Sequence, residues 1–215
     1  MTDRADSNVI LTDDEVAAVA STTGRPWRRP LLTIEDSERA LTSAIARGFR
    51  SLGLRGLVSE AGFTEPLLAA VAAQAGHKPV LAAVAVEDDL SWSTDAERWE
   101  LFAARDGDSA ALSCISTAAG IHVFAPCGFR EAAEAFGELL KPAPPVDGRE
   151  AAISVLVRGI NGEHLDSYLM RAGVLSVMRP GSEGRLPPEP TEPVDWPGVL
   201  AAISTADRAS AAEGQ

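Results

Sequence analysis

Apolar residues recur along this chain with two different periods, and the switch between them divides it. From Ser37 to Leu52 the apolar positions Leu41, Ile45, Gly48, Phe49 and Leu52 fall on one helical face, and Gly53 follows as a stop. Residues 65–75 read as a further helix closed by Gly76. Phe129, Ala132, Ala133, Phe136, Leu139 and Leu140 form an apolar stripe on another, which ends at Lys141-Pro142. Three helix starts share one device. Thr12 caps a helix with Glu15 at the third helical position, a capping box, and Leu11 staples onto Val16. Thr64 and Asp195 repeat the geometry, with Phe63 facing Leu68 and Val194 facing Val199. Pro66 and Pro197 then fall in the first turn, where a missing N–H is harmless.

Between these helices the period shortens. "KPVLAAVAVE" reads as a buried strand, and "RWELFAARDGDSAALSCIS" as two strands joined at Asp106-Gly107-Asp108. "TAAGIHVFAP" adds another after a turn at Gly120, giving an antiparallel meander of about four strands over 79–126. With Ala118–Gly120 as a three-residue turn, Cys114 falls opposite Phe124. "KPAPPVDGRE" is a stiff Pro-rich joint. "AAISVLVRGINGEHLDSYLMRAGVLSVMRPG" resembles a smaller sheet with turns at Asn161-Gly162 and Ala172-Gly173; its "HLDSYLM" fits either a strand or a helical turn. "SEGRLPPEPTEP" reads as a linker-like loop, and a helix at 195–204 closes the fold.

Strands follow strands, so the class is α+β, an antiparallel meander sheet with packed helices, possibly as two pseudo-symmetric halves. The pattern predicts one domain over 10–205. Helices, meander and helix occupy 37–140, and hairpins with a C-terminal helix occupy 150–205. Residues 1–9 and 206–215 read as flexible tails. No β-α-β rhythm is present, which excludes a doubly wound cofactor fold.

A formal net charge of −12 gives the wrong field for a general nucleic-acid binder or an anionic membrane surface. No run approaches the roughly 18 apolar residues of a membrane helix. The start "MTDRADSNVILTDDE" lacks a basic region followed by an apolar core, so no secretory signal is expected. Cys114 and Cys127 are too few for a disulfide framework, and the expected compartment is the cytoplasm.

Chemistry-bearing motifs are scarce. Neither a P-loop nor GxGxxG occurs, and "GLRG" and "GINGEH" read as turns. His77, His122 and His164 lack metal-ligand spacing, and no GxSxG elbow precedes a helix. Cys114, opposite Phe124, is a buried and inert thiol. The acidic runs Asp13-Asp14-Glu15 and Glu35-Asp36 stand at helix starts, where the helix dipole already favours them. No catalytic, cofactor-binding or metal-ligating residue is assigned, and no cofactor is implied.

The order of segments carries a resemblance. "LTDDEVAAVA" is followed by "SLGLRGLVSEAGFTEPLLAAVAAQAGHKPVLAAVAV", the meander "WELFAARDGDSAALSCISTAAGIHVFAP", the helix "REAAEAFGELLKPAPP" and the hairpin "YLMRAGVLSVMRPGSEGRL". This resembles the EspG family of type VII (ESX) secretion chaperones, with "ARDGDSA" at 104–110 as the best single match. The chain is shorter in its second half than that family leads one to expect. The resemblance implies a cytosolic protein without a catalytic centre. It also implies an antiparallel sheet with helices in two pseudo-symmetric halves, and a PE–PPE-type secretion substrate held by its aggregation-prone helical tip.

Partner contact has its own candidates. In "VEDDLSWSTDAERW", Leu90 and Trp92 form an apolar pair inside an acidic rim, the composition of a binding hot spot. In "GRPWRRP", Trp27 with Arg28 and Arg29 offers an aromatic anchor and cations. Local packing is the competing role for these residues, and Trp99 belongs to the core. An enzyme or small-ligand domain with a pocket between sheet and helices is the alternative function, with His122, Cys114 and Asp106 as its first suspects. A homodimer through an exposed sheet face is compatible with either.

Overall fold

The computed structural model describes residues 8–24, 27, 31–76, 81–86, 98–103, 111–139, 152–158, 165–171, 173–179 and 189–201. The chain enters as strand β1 (Val9–Thr12) and turns into helix α1 (Asp13–Thr23), then α2 (Glu38–Leu54). A short hairpin, β2 (Val58–Ser59) and β3 (Gly62–Phe63), leads to α3 (Glu65–Gly76). The meander follows as β4 (Leu81–Val86), β5 (Arg98–Ala103), β6 (Ala111–Ser116) and β7 (Ile121–Cys127), closed by α4 (Phe129–Leu139). A second run comprises β8 (Ala152–Arg158), β9 (Leu165–Arg171), β10 (Val174–Arg179) and β11 (Glu189–Val194). It ends in helix α5, residues 196–201.

The α+β class expected from the pattern is the one found, but its sheet is larger than expected. Nine strands form one antiparallel sheet in the order β1-β7-β6-β5-β4-β8-β9-β10-β11. The second run is not a separate smaller sheet. β8 pairs along β4 from Leu81↔Val157 to Val86↔Ala152 and continues it. Apart from β1, which adds outside β7, the order is palindromic about that pairing. On each side a four-stranded meander runs outward from the centre and is followed by a helix.

Three local expectations are corrected. Of "HLDSYLM", open between strand and helical turn, the described part Leu165–Met170 lies in strand β9, paired to both β8 and β10. The supposed linker contains β11, whose Pro190 and Pro193 sit on the sheet margin, the position that tolerates a missing donor. Val9, assigned to the supposed N-terminal tail, begins β1 and pairs with Phe124, while residues 1–7 lie outside the described residues. The Asp106-Gly107 and Asn161-Gly162 turns, Ala172, and the chain beyond 201 lie outside the described residues.

Side-chain alternation gives the sheet two apolar faces. On one, Leu81, Leu101, Val155, Tyr168 and Leu175 pack beneath Phe136 of α4 and Val199 of α5. On the other, Leu11, Phe102, Cys114 and Phe124 pack beneath Val16, Leu52, Leu67 and Val71 of α1, α2 and α3. Adjacent Leu101 and Phe102 thus serve opposite cores. Trp196 joins the helices of the two runs, its Nε1–H donating to the Ala133 carbonyl at 2.9 Å beside Phe136.

Helix starts follow the capping logic with one exception. Thr12 makes the full capping box with Glu15, and Asp195 Oδ1 accepts from the Gly198 N–H at 2.8 Å. At α3 the helix begins where expected, yet the buried Thr64 hydroxyl has no hydrogen-bond partner among the described residues and does not cap it. Helix α2 outruns Gly53 and ends in two reciprocal bonds, Gly56 N–H to Gly53 O and Leu57 N–H to Leu52 O. Its buried positions are Ala44, Gly48 and Leu52, four residues apart, while Leu41 stays exposed.

Gly48 lets α1 and α2 touch. A Cβ there would stand 2.0 Å from the Asp14 carbonyl oxygen, backbone that cannot swing aside. Gly48→Ala should therefore lower stability by roughly 2–3 kcal/mol through overpacking. In the same helix a Cβ on Gly53 would have its nearest neighbour at 4.0 Å, so Gly53→Ala should be neutral or stabilising by up to about 1 kcal/mol. Urea denaturation of both variants checks this; equal effects would show that helix propensity, not the close approach, governs Gly48.

Candidate functional site

The first turn of α1 brings buried polar groups together. Thr12 is the N-cap, so Asp13, Asp14 and Glu15 occupy the first three helical positions, where carboxylates suit the free N–H groups. The β6–β7 hairpin reaches the same place through its three-residue turn. Thr117 N–H donates to the Ile121 carbonyl, Gly120 N–H to the Thr117 carbonyl, and Gly120 has φ 70°. Gly120 then accepts through its carbonyl from the Asp13 N–H at 2.9 Å. A side chain there would collide with the Asp13 carboxylate. The hairpin register sets Cys114 across from Phe124, as expected, and Ser116 across from His122.

The result is a linear chain of hydrogen bonds. His122 Nε2 lies 2.8 Å from Asp13 Oδ1, and His122 Nδ1 lies 2.9 Å from Ser116 Oγ. Ser116 Oγ in turn is 3.7 Å from Cys114 Sγ. The other carboxylate oxygen, Asp13 Oδ2, accepts from the Thr33 N–H at 2.8 Å and the Thr33 hydroxyl at 2.9 Å. Trp27 stands edge-on to His122 at 5.3 Å and to Phe124 at 6.2 Å. Asp13, His122 and Ser116 are only 1%, 3% and 7% exposed.

Electrostatics fixes the roles. Burial alone pushes the Asp13 carboxyl up, but the bonds from His122 and from Thr33 outweigh it and hold the group below the usual aspartate range. An ionised Asp13 accepts a hydrogen bond from His122 Nε2–H, and in the neutral tautomer this bond selects, Nδ1 accepts from the Ser116 hydroxyl. The neighbouring acids are bonded as well, Asp14 at the surface and Glu15 in the interior. Asp14 receives Arg47 in a bidentate pair at 2.6 and 2.8 Å. Glu15, wholly buried, accepts from Ser51 at 2.7 Å and from Arg55 at 2.7 and 2.8 Å, and Arg55 also donates to the Ile10 carbonyl.

An acid, an imidazole and a hydroxyl in this order are the parts of a nucleophilic hydrolase. Such chemistry also needs a hydroxyl that a carbonyl can approach and donors for the oxyanion. Ser116 lies beneath α1 on a packed sheet face. A groove of about 190 Å³ is lined by Val9, Glu65, Pro66, Ala69, Leu112, Phe124 and Pro126. A shallower depression of about 610 Å³ lies among Tyr168, Val177, Val194 and Val199. Neither includes any member of the chain. What the geometry performs is cohesion: it ties α1, the 31–37 connection and the β6–β7 hairpin at one point.

The expected site residues fare unequally. His122 and Cys114 come together, bridged by Ser116, whereas Asp106 lies outside the described residues. Trp27 is half-buried against His122 and Phe124; Leu90, Trp92, Arg28 and Arg29 lie outside the described residues, as do His77 and His164. Trp99 stacks on Phe136 at 4.5 Å in the core, where it was expected. Asp13, Ser116 and Thr33 were not anticipated. Ser116 was within reach of the hairpin register. Asp13 had no local signal, because it meets His122 across 109 residues. Among the described residues no group of His, Cys, Asp or Glu is placed to hold a metal, and no helix is long and apolar enough to cross a membrane.

A depressed Asp13 carboxyl means that the folded chain binds fewer protons in acid than the unfolded one. Its stabilisation is complete above the ordinary aspartate value of about 3.9 and is lost as pH falls through and below it. Urea denaturation across that window should give a falling acid limb for the wild type and a flatter one for Asp13→Asn. Matching limbs would assign the acid sensitivity elsewhere. Asp13→Ala, which strands His122 and Thr33, should cost about 3–5 kcal/mol at neutral pH.

The chain matches no protein-family model, and no curated protein matches it at a significant level.

Proposed function

We propose that this protein is a cytosolic, non-catalytic chaperone or adaptor of the EspG kind, which holds a PE–PPE-type secretion substrate for type VII export. The observation that carries the reading is the palindromic sheet. Two four-stranded meanders, each followed by a helix, meet at the β4–β8 pairing. Two pseudo-symmetric halves on one antiparallel sheet are what the resemblance implies for the fold. The acidic charge agrees with a solubilising carrier for an aggregation-prone cargo.

A second reading draws on the Asp13–His122–Ser116 chain, which is the bond order of a serine hydrolase. Its weakness is access, since the hydroxyl is buried and the two grooves found among the described residues lie elsewhere.

Two measurements separate the readings. Co-expressed with a PE–PPE-type pair, the tagged chain should co-purify in a stable complex with that pair; absence of any complex would remove the chaperone reading. A fluorophosphonate probe should leave Ser116 unlabelled in the native chain. Labelling that is stoichiometric and abolished by Ser116→Ala would move the assignment to a hydrolase.

A further inference from the structure

Helix α3 has an unusual composition for its position. In Glu65–Gly76, "EPLLAAVAAQAG", only Glu65 and Gln74 are polar. A helix apolar on every side belongs inside a core, yet α3 covers the sheet from outside. Its inward residues Leu67, Ala70 and Val71 are buried, while Leu68 is 43% exposed and Ala69 is exposed as well. At its foot lies the groove of about 190 Å³ between α3 and the sheet, walled by Val9, Leu112, Phe124 and Pro126. Ala69 belongs both to the outward face and to the groove, so the two form one apolar surface.

We propose that this surface docks an amphipathic, positively charged helix of a partner protein. The inference rests on the chaperone reading for there being a partner and adds where and how it binds. A cavity of about 150 Å³ accepts a benzene ring, so the groove admits one large apolar side chain, a Leu or a Phe, as an anchor. Alanines at 69 and 72 keep the face low, which lets a second helix approach to within about 8–10 Å. Leu68 then lies beside the anchor, at the spacing that a partner's next apolar turn covers.

Charge selects the occupant. Glu65 stands in the groove wall, and Glu60 is exposed on the β2–β3 turn just before α3. The outward face of α3 carries no basic residue, and the chain as a whole bears −12. A second copy of this chain docked about a two-fold would set Glu65 against Glu65 and add two strongly negative bodies. A partner helix with Lys or Arg flanking its apolar stripe meets that rim favourably.

The test uses the full chain and a fluorescein-labelled Leu/Lys peptide of about 18 residues, with Leu at helical spacing and Lys elsewhere. Its comparison is the same composition with the Leu positions scrambled. Fluorescence anisotropy should rise saturably with the amphipathic peptide, and at least tenfold more protein should be needed with the scrambled one. Leu68→Glu and Ala69→Glu should each weaken binding about tenfold or more, as expected for a lost apolar contact and a new buried charge. Val174→Glu, at an exposed site on β10, should leave it unchanged. Glu65→Gln should weaken it less and reduce its salt dependence. Circular dichroism melts confirm that each variant is folded; if Leu68→Glu melts early, Ala69→Glu decides.

Equal binding of the two peptides, or full binding by folded Ala69→Glu, overturns the docking site. A concentration-dependent dimer in light scattering that Ala69→Glu abolishes also overturns it, since the face is then covered by a second copy. Retained capture of a PE–PPE-type pair by Ala69→Glu removes the α3 site while leaving the chaperone reading intact. Failure of the wild type to capture that pair, with peptide binding normal, removes the chaperone reading alone.

Discussion

A buried carboxylate is stable only when most of its oxygen lone pairs are bonded, and two such groups, Asp13 and Glu15, flank the half-buried Asp14 at the start of α1. Asp13 is held by His122 and Thr33, Asp14 by Arg47, and Glu15 by Ser51 and Arg55. Because consecutive helical positions point about 100° apart, three adjacent acids reach in three directions. One turn of helix therefore fixes α1 against a hairpin, a connection and α2 together. The close approach at Gly48 follows from this, since α2 must lie near enough for Arg47, Ser51 and Arg55 to find their carboxylates. Removing one partner would leave its counterpart desolvated and unbonded, so the arrangement holds as a unit.

The same clamp protects the sheet. Arg55 donates to the Ile10 carbonyl, on the outer side of β1, and so occupies an acceptor that another strand would use. The opposite margin is guarded by different chemistry: β11 places Pro190 and Pro193 there, with the exposed Glu192 between them. Prolines and charges on an edge discourage strand addition. The sheet of nine strands thus has both margins blunted.

Much of this architecture was legible. The four meander strands, the Cys114–Phe124 register and the capping box at Thr12 depend on periods and turns of a few residues, and these dominate local structure. What escaped depends on distance. β1 is too short to alternate visibly and is a strand only because β7 receives it. β11 contains two prolines in its six residues, so propensity argues against it, and pairing with β10 overrides propensity. The union of two sheets into one rests on β4–β8 pairing, which no local pattern encodes. Likewise the helix dipole explained the acids at 13–15 well enough that their tertiary partners stayed hidden, and Asp13 in particular had nothing nearby to betray it.

The palindromic order has a kinetic consequence. Within each meander, successive strands are neighbours in sequence, so either one can assemble with short loop closures. The β4–β8 contact is different, because Leu81 must find Val157 after the whole of the first meander and α4 has been threaded between them. β1 makes a similar journey to β7. Contact order is thus concentrated in two pairings, and the folding rate is set by how quickly the two halves close upon each other rather than by either half alone.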